Sequence, residues 1–251
     1  MGFLDAIFLG LVQGLTEFIP VSSSGHLILA RQFFSIHQSD LAFDAVLQLA
    51  TSFAIAVYFF RHLVEFLQDK KLVMAVVVGT LPAIVFGLIL EDKIETVFRS
   101  SMLVAWMLIA GSALMYLADR HPEEKHEVDK DTGLIIGFFQ TLAILPGISR
   151  SGATISGGIL SGLGRDQAVR FSFLLSFPIL FGSGIKKLLD LYQAGSIETL
   201  GWPLLLGSLV AFASGLGAIH FLITYLKGHK FTVFIWYRLA LAAFIFVFAF
   251  I

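Results

Sequence analysis

Long apolar runs constrain this chain more than any other feature of its sequence. A helix needs about 20 apolar residues to cross the hydrocarbon core of a bilayer. Six runs are close to that length: 41–60, 72–90, 102–118, 168–185, 202–226 and 231–251. Short polar loops separate them. The pattern therefore predicts an all-α, polytopic integral membrane protein with about six transmembrane helices.

The composition supports a membrane protein. Hydrophobic residues make up 57% of the 251 residues and charged residues only 14%, whereas a soluble domain carries about 25% charged residues. Such a chain has too few charges to cover the surface of a soluble globule. These values exclude an ordinary cytosolic enzyme, a disordered chain and a nucleic-acid-binding protein. The sequence contains no Cys, which excludes disulfides, Fe–S clusters and thiolate zinc sites.

Two further apolar segments, 2–34 and 133–162, are interrupted near the middle by Pro, Ser and Gly. The interruptions read PVSSSGH (Pro20–His26) and PGISRSGAT (Pro146–Thr154). Pro and Gly end helices, and Ser is a favourable N-cap for the next helix. Each segment is therefore predicted to be a re-entrant helical hairpin, with two short arms around a break. Irregular backbone at membrane depth requires protein or a water-filled cavity to satisfy its polar groups.

The two interruptions resemble each other, which indicates an internal repeat. A shift of 127 residues aligns Gly10 with Gly137, Gln13 with Gln140, Ser22 with Ser149, Ser24 with Ser151 and Gly25 with Gly152. An odd number of predicted crossings separates the two segments, so the repeat has inverted topology. We interpret 1–251 as a single membrane domain with repeat halves at about 1–118 and 132–251. Inverted repeats with broken helices place the working site near the bilayer midplane.

Loop charge predicts the orientation of the chain. Basic residues are more numerous on the side of the loops 61–71, 119–132 and 227–230, which is therefore expected to be cytoplasmic. Both termini then face outward, the first hairpin enters from outside and the second from inside. Trp202 and Tyr237 are assigned to the aromatic belts at the membrane interfaces.

The first interruption carries polar groups that are costly inside a membrane. Gln13 and Glu17 are four residues apart and share a helix face. The serine run 22–24 and His26 follow them. Ionisable groups in an apolar segment are by default functional hypotheses. The alternatives are an interfacial acid or structural ion pair for Glu17, a hydrogen-bonded core histidine for His26, and an N-cap for one serine.

The second interruption has the composition of an anion site. A Gly/Ser turn that opens a helix presents backbone N–H groups at the positive end of the helix dipole. Arg150 adds a planar fork that can bind phosphate bidentately, with snorkelling to an interface as the alternative. Around it stand Gly147, Ser149, Ser151, Gly152 and Thr154. Together with the first interruption, these groups indicate metal-assisted phosphoryl chemistry.

The motifs QGLTEFIPVSSSGH and LPGISRSGAT resemble the two signature motifs of the bacterial undecaprenyl-diphosphate phosphatase family, also called the bacitracin-resistance family. The resemblance extends over essentially the whole chain. It implies hydrolysis of a long-chain prenyl diphosphate lipid to the monophosphate carrier used in peptidoglycan and envelope polymer synthesis, and resistance to bacitracin. It also implies a divalent cation, Mg or Ca, and a bacterial cytoplasmic (inner) membrane location with the active site open to the periplasmic face.

The resemblance assigns roles to individual residues. Glu17, Ser23, His26 and Arg150 are expected to be catalytic, with the nucleophile left open between Ser23, His26 and water. The family's acidic pair, Glu/Gln-x-x-x-Glu, falls on Gln13 and Glu17 as cation ligands, so a second carboxylate is absent here. The expected substrate-binding residues are Ser22, Ser24, Gly25, Gly147, Ser149, Ser151, Gly152 and Thr154.

A function of another class remains open from the sequence. Inverted repeats with broken helices are also transporter architecture. A polyprenyl-phosphate flippase or anion transporter that uses the same midplane site is therefore the alternative. A transporter needs the anion site but gives no reason for Glu17 and His26 beside it. The oligomeric state is also open, with a homodimer as one alternative.

Overall fold

A computed structural model of the chain describes residues 2–34, 36, 41–60, 66–97, 100–122, 127–193, 195 and 197–248. These residues contain no β-strand. The longer helices within them are α1 Phe3–Phe18, α2 Ser23–Phe33, α3 Leu41–Tyr58, α4 Lys70–Val97, α5 Ser101–Arg120, α6 Lys130–Leu142, α7 Arg150–Leu160, α8 Arg165–Gln193, α9 Ile197–Leu226 and α10 Thr232–Phe248. The predicted all-α class is confirmed.

Six of these helices are apolar along most of their length. Stretches of α4, α5, α8 and α9 are long and apolar enough to cross a membrane, and α3 and α10 are shorter apolar helices. Each predicted span coincides with one of the six, although residues 249–251 of the last span lie outside the described residues. Large apolar side chains on the outside of α4, such as Val77, Leu81 and Leu88, suit a lipid-facing surface. The chain is therefore a polytopic membrane protein.

The orientation rests on loop charge alone. Residues 61–65 and 123–126, which carry part of the charge in the loops 61–71 and 119–132, lie outside the described residues. The structure contains no membrane against which the two sides can be assigned. The cytoplasmic placement of these loops therefore stays a prediction.

Both interrupted segments form two helices around a break, as predicted. The arms α1, α2, α6 and α7 contain 16, 11, 13 and 11 residues. At 1.5 Å per residue each arm is shorter than the hydrocarbon core, which is about 30 Å thick. We call residues 19–26 the first tip and residues 143–154 the second tip.

Small residues bring the first hairpin into close contact with α9. A methyl group added to Gly10 would lie 2.3 Å from the carbonyl oxygen of Gly207, and one added to Gly14 would lie 2.4 Å from that of Ala211. The backbones of α1 and α9 can approach this closely only because both positions lack a side chain. Small residues four apart are the usual means of packing helices tightly in a membrane.

The second hairpin packs on α4 in an equivalent way. A methyl group on Gly137 would lie 2.2 Å from the carbonyl oxygen of Gly79, and one on Gly133 would lie 2.3 Å from that of Ala75. Gly10 and Gly137 are partners in the sequence repeat, and each lies where its hairpin contacts a spanning helix. The boundaries of the two repeat halves stay a prediction.

Candidate active site

The two tips touch each other in the interior of the protein. The N–H of Gly147 in the second tip donates a hydrogen bond of 3.0 Å to Ser22 Oγ in the first tip. Both groups are buried, so this contact is shielded from solvent. Residues 125 positions apart in sequence thus form one site, as the internal repeat led us to expect.

Ser22 and Ser149 hold the same unusual conformation in the two tips. Each is the N-cap of the following helix, with φ near +75° (77° and 74°), and each side-chain oxygen accepts a hydrogen bond from the amide three residues later. A non-glycine residue with positive φ costs on the order of 1–3 kcal/mol and persists only where surrounding contacts enforce it. The two tips are therefore locally equivalent, and both store backbone strain at the point where they meet.

Glu17 is the centre of the polar contacts beside this junction. One oxygen, Oε2, accepts hydrogen bonds from Gln13 Nε2 at 2.9 Å and from Ser23 Oγ at 2.5 Å. The other, Oε1, lies 3.5 Å from Nη1 of Arg150, and the carboxylate is buried. The structure therefore brings together Gln13, Glu17 and Ser23 from the first hairpin and Arg150 from the second. The Glu17 carboxylate is therefore placed to accept the Ser23 proton.

Arg150 keeps donor capacity at this site. Apart from the 3.5 Å ion-pair contact with Glu17, its buried Nη1 makes no hydrogen bond among the described residues. A guanidinium donor buried without a hydrogen bond is costly. Arg150 and Ser151 also occupy the first two positions of α7, where backbone N–H groups have no partner inside the helix. Together these donors can bind an anion.

A narrow cavity of only about 10 Å³ is lined by Glu17 and Arg150. Its walls include Phe18, Ser151, Ser172, Phe173, Ser176 and Leu180. Ser172 and Ser176 on α8 were not identified from the sequence. Their spacing of four in an apolar run was the available signal, and it is weak because Ser176 also bonds the backbone of its own helix.

Several residues expected to bind substrate make hydrogen bonds or close contacts that hold the backbone of the tips in place. Thr154 Oγ1 donates to the carbonyl of Arg150 and lies 2.5 Å from Ser172 Oγ. The backbone N–H groups of Gly25 and Gly152 donate hydrogen bonds to the Oγ atoms of Ser22 and Ser149, respectively.

Gly147 has φ +108°, and a methyl group there would lie 2.6 Å from the Val104 carbonyl oxygen. The Oγ atoms of Ser24 and Ser151 lie 3.4 and 3.2 Å from those of the cap serines Ser22 and Ser149.

His26 belongs to the first tip, but its ring nitrogens bond groups other than Glu17. Its Nδ1 lies 2.7 Å from the carbonyl oxygen of Ser22 and its Nε2 lies 2.7 Å from the Tyr237 hydroxyl. A carbonyl only accepts, so Nδ1 carries the hydrogen and the Nε2 of a neutral ring accepts from Tyr237. The rings of His26 and Tyr237 are parallel, 5.7 Å apart. Tyr237, which the sequence assigned to the aromatic belt, therefore also contacts His26 at the candidate site.

The first hairpin offers two oxygen ligands for a divalent cation. Gln13 Oε1 is buried and, within the described part of the chain, has no hydrogen-bond partner. Beside it stands the Glu17 carboxylate. No group of three or more His, Cys, Asp or Glu side chains in the described ranges could hold a metal. Mg²⁺ is commonly bound by one or two carboxylates together with substrate phosphates, so one acid and one amide oxygen fit a cation shared with a phosphate ligand.

Comparison with known proteins gives consistent matches over the whole chain. The profile of the bacitracin resistance protein BacA family matches residues 6–244. An undecaprenyl-diphosphatase of Moorella thermoacetica is 39% identical over 98% of this chain and 97% of its own length. One from Trichlorobacter lovleyi is 40% identical, covering 96% and 94% of the two chains. Undecaprenyl-diphosphatase 3 of Bacillus cereus is 36% identical, covering 94% and 93%.

Proposed function

The chain belongs to the bacitracin resistance protein BacA family, and on that premise we propose that it is an undecaprenyl-diphosphatase. It hydrolyses undecaprenyl diphosphate to undecaprenyl phosphate and inorganic phosphate, which recycles the lipid carrier for envelope synthesis and confers bacitracin resistance. One observation supports this most strongly. The buried Glu17 carboxylate of the first hairpin accepts a hydrogen bond from Ser23 and pairs with Arg150 of the second hairpin, whose Nη1 makes no hydrogen bond among the described residues.

In the first chemical step Ser23 is the nucleophile. Ser23 Oγ attacks the terminal phosphorus of the diphosphate, and its proton passes to Glu17, which lies 2.5 Å away. The bond between that phosphorus and the bridging oxygen breaks, and undecaprenyl phosphate leaves with the bonding electrons. A serine is a weak nucleophile until an adjacent base accepts its proton, and in the described contacts Glu17 is the acid bonded to Ser23.

In the second step water releases the phosphate from Ser23. Glu17, still carrying the proton, transfers it to the leaving Ser23 oxygen as a water molecule attacks the phosphorus, and the proton lost from water leaves with the phosphate. Arg150 and the N–H groups at the start of α7 hold the phosphate oxygens and balance their growing charge in both steps. His26, whose nitrogens bond Ser22 and Tyr237, positions the turn that carries Ser23.

A divalent cation, Mg or Ca, is part of this proposal. Gln13 Oε1 and the Glu17 carboxylate are the groups that would hold it, together with oxygens of the substrate. Such a cation supplies charge neutralisation at the diphosphate. The role of the chain is to orient the two oxygens, which the hydrogen bond from Gln13 Nε2 to Glu17 does.

The substrate enters from the bilayer, and only its headgroup reaches the tips. The cavity of about 10 Å³ is far smaller than a typical small-molecule site of about 300–1,000 Å³, so the prenyl chain has no room there and stays in lipid. We place the protein in the bacterial cytoplasmic membrane with the site open to the periplasmic face, as the family resemblance implies. The observations do not favour the flippase or transporter alternative, since that activity gives no role to the Ser23–Glu17 pair.

Phosphate release tests the proposed function. Purified protein in detergent is given undecaprenyl diphosphate, and both inorganic phosphate and undecaprenyl phosphate are measured. We expect one of each per substrate molecule, and for Ser23→Ala we expect turnover at least about 10²-fold slower, the scale of losing a nucleophile or a key transition-state contact. Wild-type protein that binds the lipid without releasing phosphate would overturn the proposal. Normal turnover by Ser23→Ala would reassign the nucleophile.

A further inference from the structure

Arg238 is a buried charge that neither signature motif contains. It lies on α10 in an apolar run, and its side chain is fully buried (0% exposed). A guanidinium removed from water is costly unless its donors are hydrogen-bonded. In the described part of the chain no carboxylate lies within ion-pair distance of Arg238; its partners are backbone carbonyls and one hydroxyl.

The partners of Arg238 belong to three separate segments of the chain. Nη1 donates to the carbonyl of Pro20 in the first tip at 3.1 Å, and Nη2 donates to that of Gly147 in the second tip at 2.9 Å. Nη2 and Nε also bond the carbonyl of Leu108 on α5, and Nε bonds the hydroxyl of Ser112 there. One rigid, planar group thus joins both tips to a spanning helix.

The tip carbonyls that Arg238 bonds belong to residues three positions before the proposed reacting groups in sequence. Pro20 precedes Ser23 by three residues, and Gly147 precedes Arg150 by three. The Gly147 amide in turn bonds Ser22 Oγ. The guanidinium therefore bonds the backbone of both tips. The cavity is lined by Arg150 and by Glu17, which bonds Ser23.

The neighbouring backbone leaves space for this guanidinium. Gly111 on α5 is buried, and a methyl group there would lie 2.1 Å from Nη2 of Arg238 and 2.7 Å from the carbonyl oxygen of Ile148. A methyl group at Gly111 therefore displaces the fork, the backbone of the second tip at Ile148, or both, without removing the charge of Arg238. This position offers a test that leaves the arginine in place.

We infer that Arg238 is a positioning residue that sets the distance between the tip bearing Ser23 and the tip bearing Arg150. The inference rests on the proposed function. Because Arg238 bonds the backbone carbonyls of both tips, its loss misaligns the nucleophile and the phosphate without removing any group that binds phosphate. A displacement of about 1 Å is enough to cost up to about 10²-fold in rate.

The test measures kcat and KM for undecaprenyl diphosphate with folded, monodisperse protein. For Arg238→Lys, Arg238→Gln and Gly111→Ala we expect kcat to fall at least about tenfold, with KM changed by less than about threefold, because alignment and not binding is lost. Lys keeps the charge but lacks the planar fork. Gly217→Ala is the matched control, since a methyl group there meets no atom within 4 Å, and it should leave both constants unchanged.

Three results would overturn the inference. Normal kcat in Arg238→Gln would remove any positioning role, and normal kcat in Arg238→Lys alone would reduce the residue to a diffuse charge. If the Arg238 variants do not fold, the test uses Gly111→Ala and Ser112→Ala, because both retain the arginine. Normal kcat in both variants contradicts the inference, and reduced kcat in both supports it. Wild-type protein that releases no phosphate would instead overturn the proposed function.

Discussion

At the residue scale, Nη1 of Arg150 is in ion-pair contact with Glu17 but makes no hydrogen bond. It lies 3.5 Å from Glu17 Oε1, and among the described residues no acceptor meets it with hydrogen-bond geometry. A bound phosphate therefore gains a strong charge-assisted bond from a donor that is unsatisfied in the free protein. Because the same guanidinium contacts Glu17, it links substrate binding to the proposed base.

Replacing Arg150 by Lys tests the planar fork separately from the charge. A Lys ammonium is a point charge without parallel donors, so it cannot bond phosphate bidentately while facing Glu17. We expect kcat/KM for undecaprenyl diphosphate to fall at least about 10²-fold. Phosphate release is the measurement, with the thermal unfolding temperature as a check on folding. Full activity in this variant would mean that Arg150 acts only as a diffuse counter-charge.

Replacing Gln13 by Glu tests the cation site. The amide donates to Glu17 through Nε2 and leaves Oε1 without a partner. A second carboxylate adds an anionic oxygen ligand, so Gln13→Glu should keep activity and reach half-maximal rate at a lower Mg or Ca concentration. We also expect a chelator to abolish phosphate release by the wild type and added cation to restore it. Activity that is insensitive to chelators would mean that Gln13 and Glu17 do not bind a cation needed for the reaction.

Much of the chemistry at the site could be predicted from the sequence, because Glu17 and Arg150 are charges that an apolar segment does not tolerate without a reason. The bond between Ser23 and Glu17 could not, since it depends on how the chain turns at Ser22. Arg238 could have been singled out as an ionisable residue in a predicted span. Its role was beyond the sequence, because its partners are backbone carbonyls that carry no residue signature.

At the element scale, each hairpin is held by contacts between small residues and a spanning helix. Gly10 and Gly14 place α1 against α9, and Gly133 and Gly137 place α6 against α4. Such contacts fix the depth and tilt of an arm, and hence the position of the tip at its end. The Gly spacing was visible in the sequence, but the partner helix was not, because small-residue faces also occur elsewhere in the chain.

Gly79 and Gly87 on α4 provide a matched pair for testing this packing. A methyl group on Gly79 would lie 2.5 Å from the Gly133 carbonyl oxygen, whereas one on Gly87 meets nothing within 4 Å. We expect Gly79→Ala to destabilise the protein by about 1–3 kcal/mol, the usual cost of overpacking, and to lower phosphate release by tilting the second tip. Thermal unfolding in detergent measures the first effect. Gly87→Ala should be neutral or slightly stabilising.

Equal unfolding temperatures for the Gly79→Ala and Gly87→Ala proteins would contradict the packing account. The two substitutions are chemically identical and lie on the same helix, so helix propensity changes equally in both. Any difference between them therefore reports on the contact between α4 and α6.

At the scale of the whole molecule, the two hairpins meet at one candidate site and carry different polar groups. The first contributes Glu17 and Ser23, and the second contributes Arg150 and the N-terminus of its second helix. Length and hydropathy were sufficient to predict about six spans, since membrane thickness leaves few alternatives. The meeting of the tips followed from the inverted repeat. The closeness of the contact between Ser22 Oγ and the Gly147 amide, 3.0 Å, required the structure.

The central claim is that Glu17 and Arg150, from opposite halves of the chain, act as one unit on one diphosphate. A double-mutant cycle on kcat/KM with Glu17→Gln, Arg150→Gln and the double variant tests it most directly. Groups that act as a unit are strongly non-additive, so we expect each single change to cost at least about 10²-fold and the double variant to be little slower than the slower single variant. Losses that multiply in the double variant would show independent sites and contradict the account.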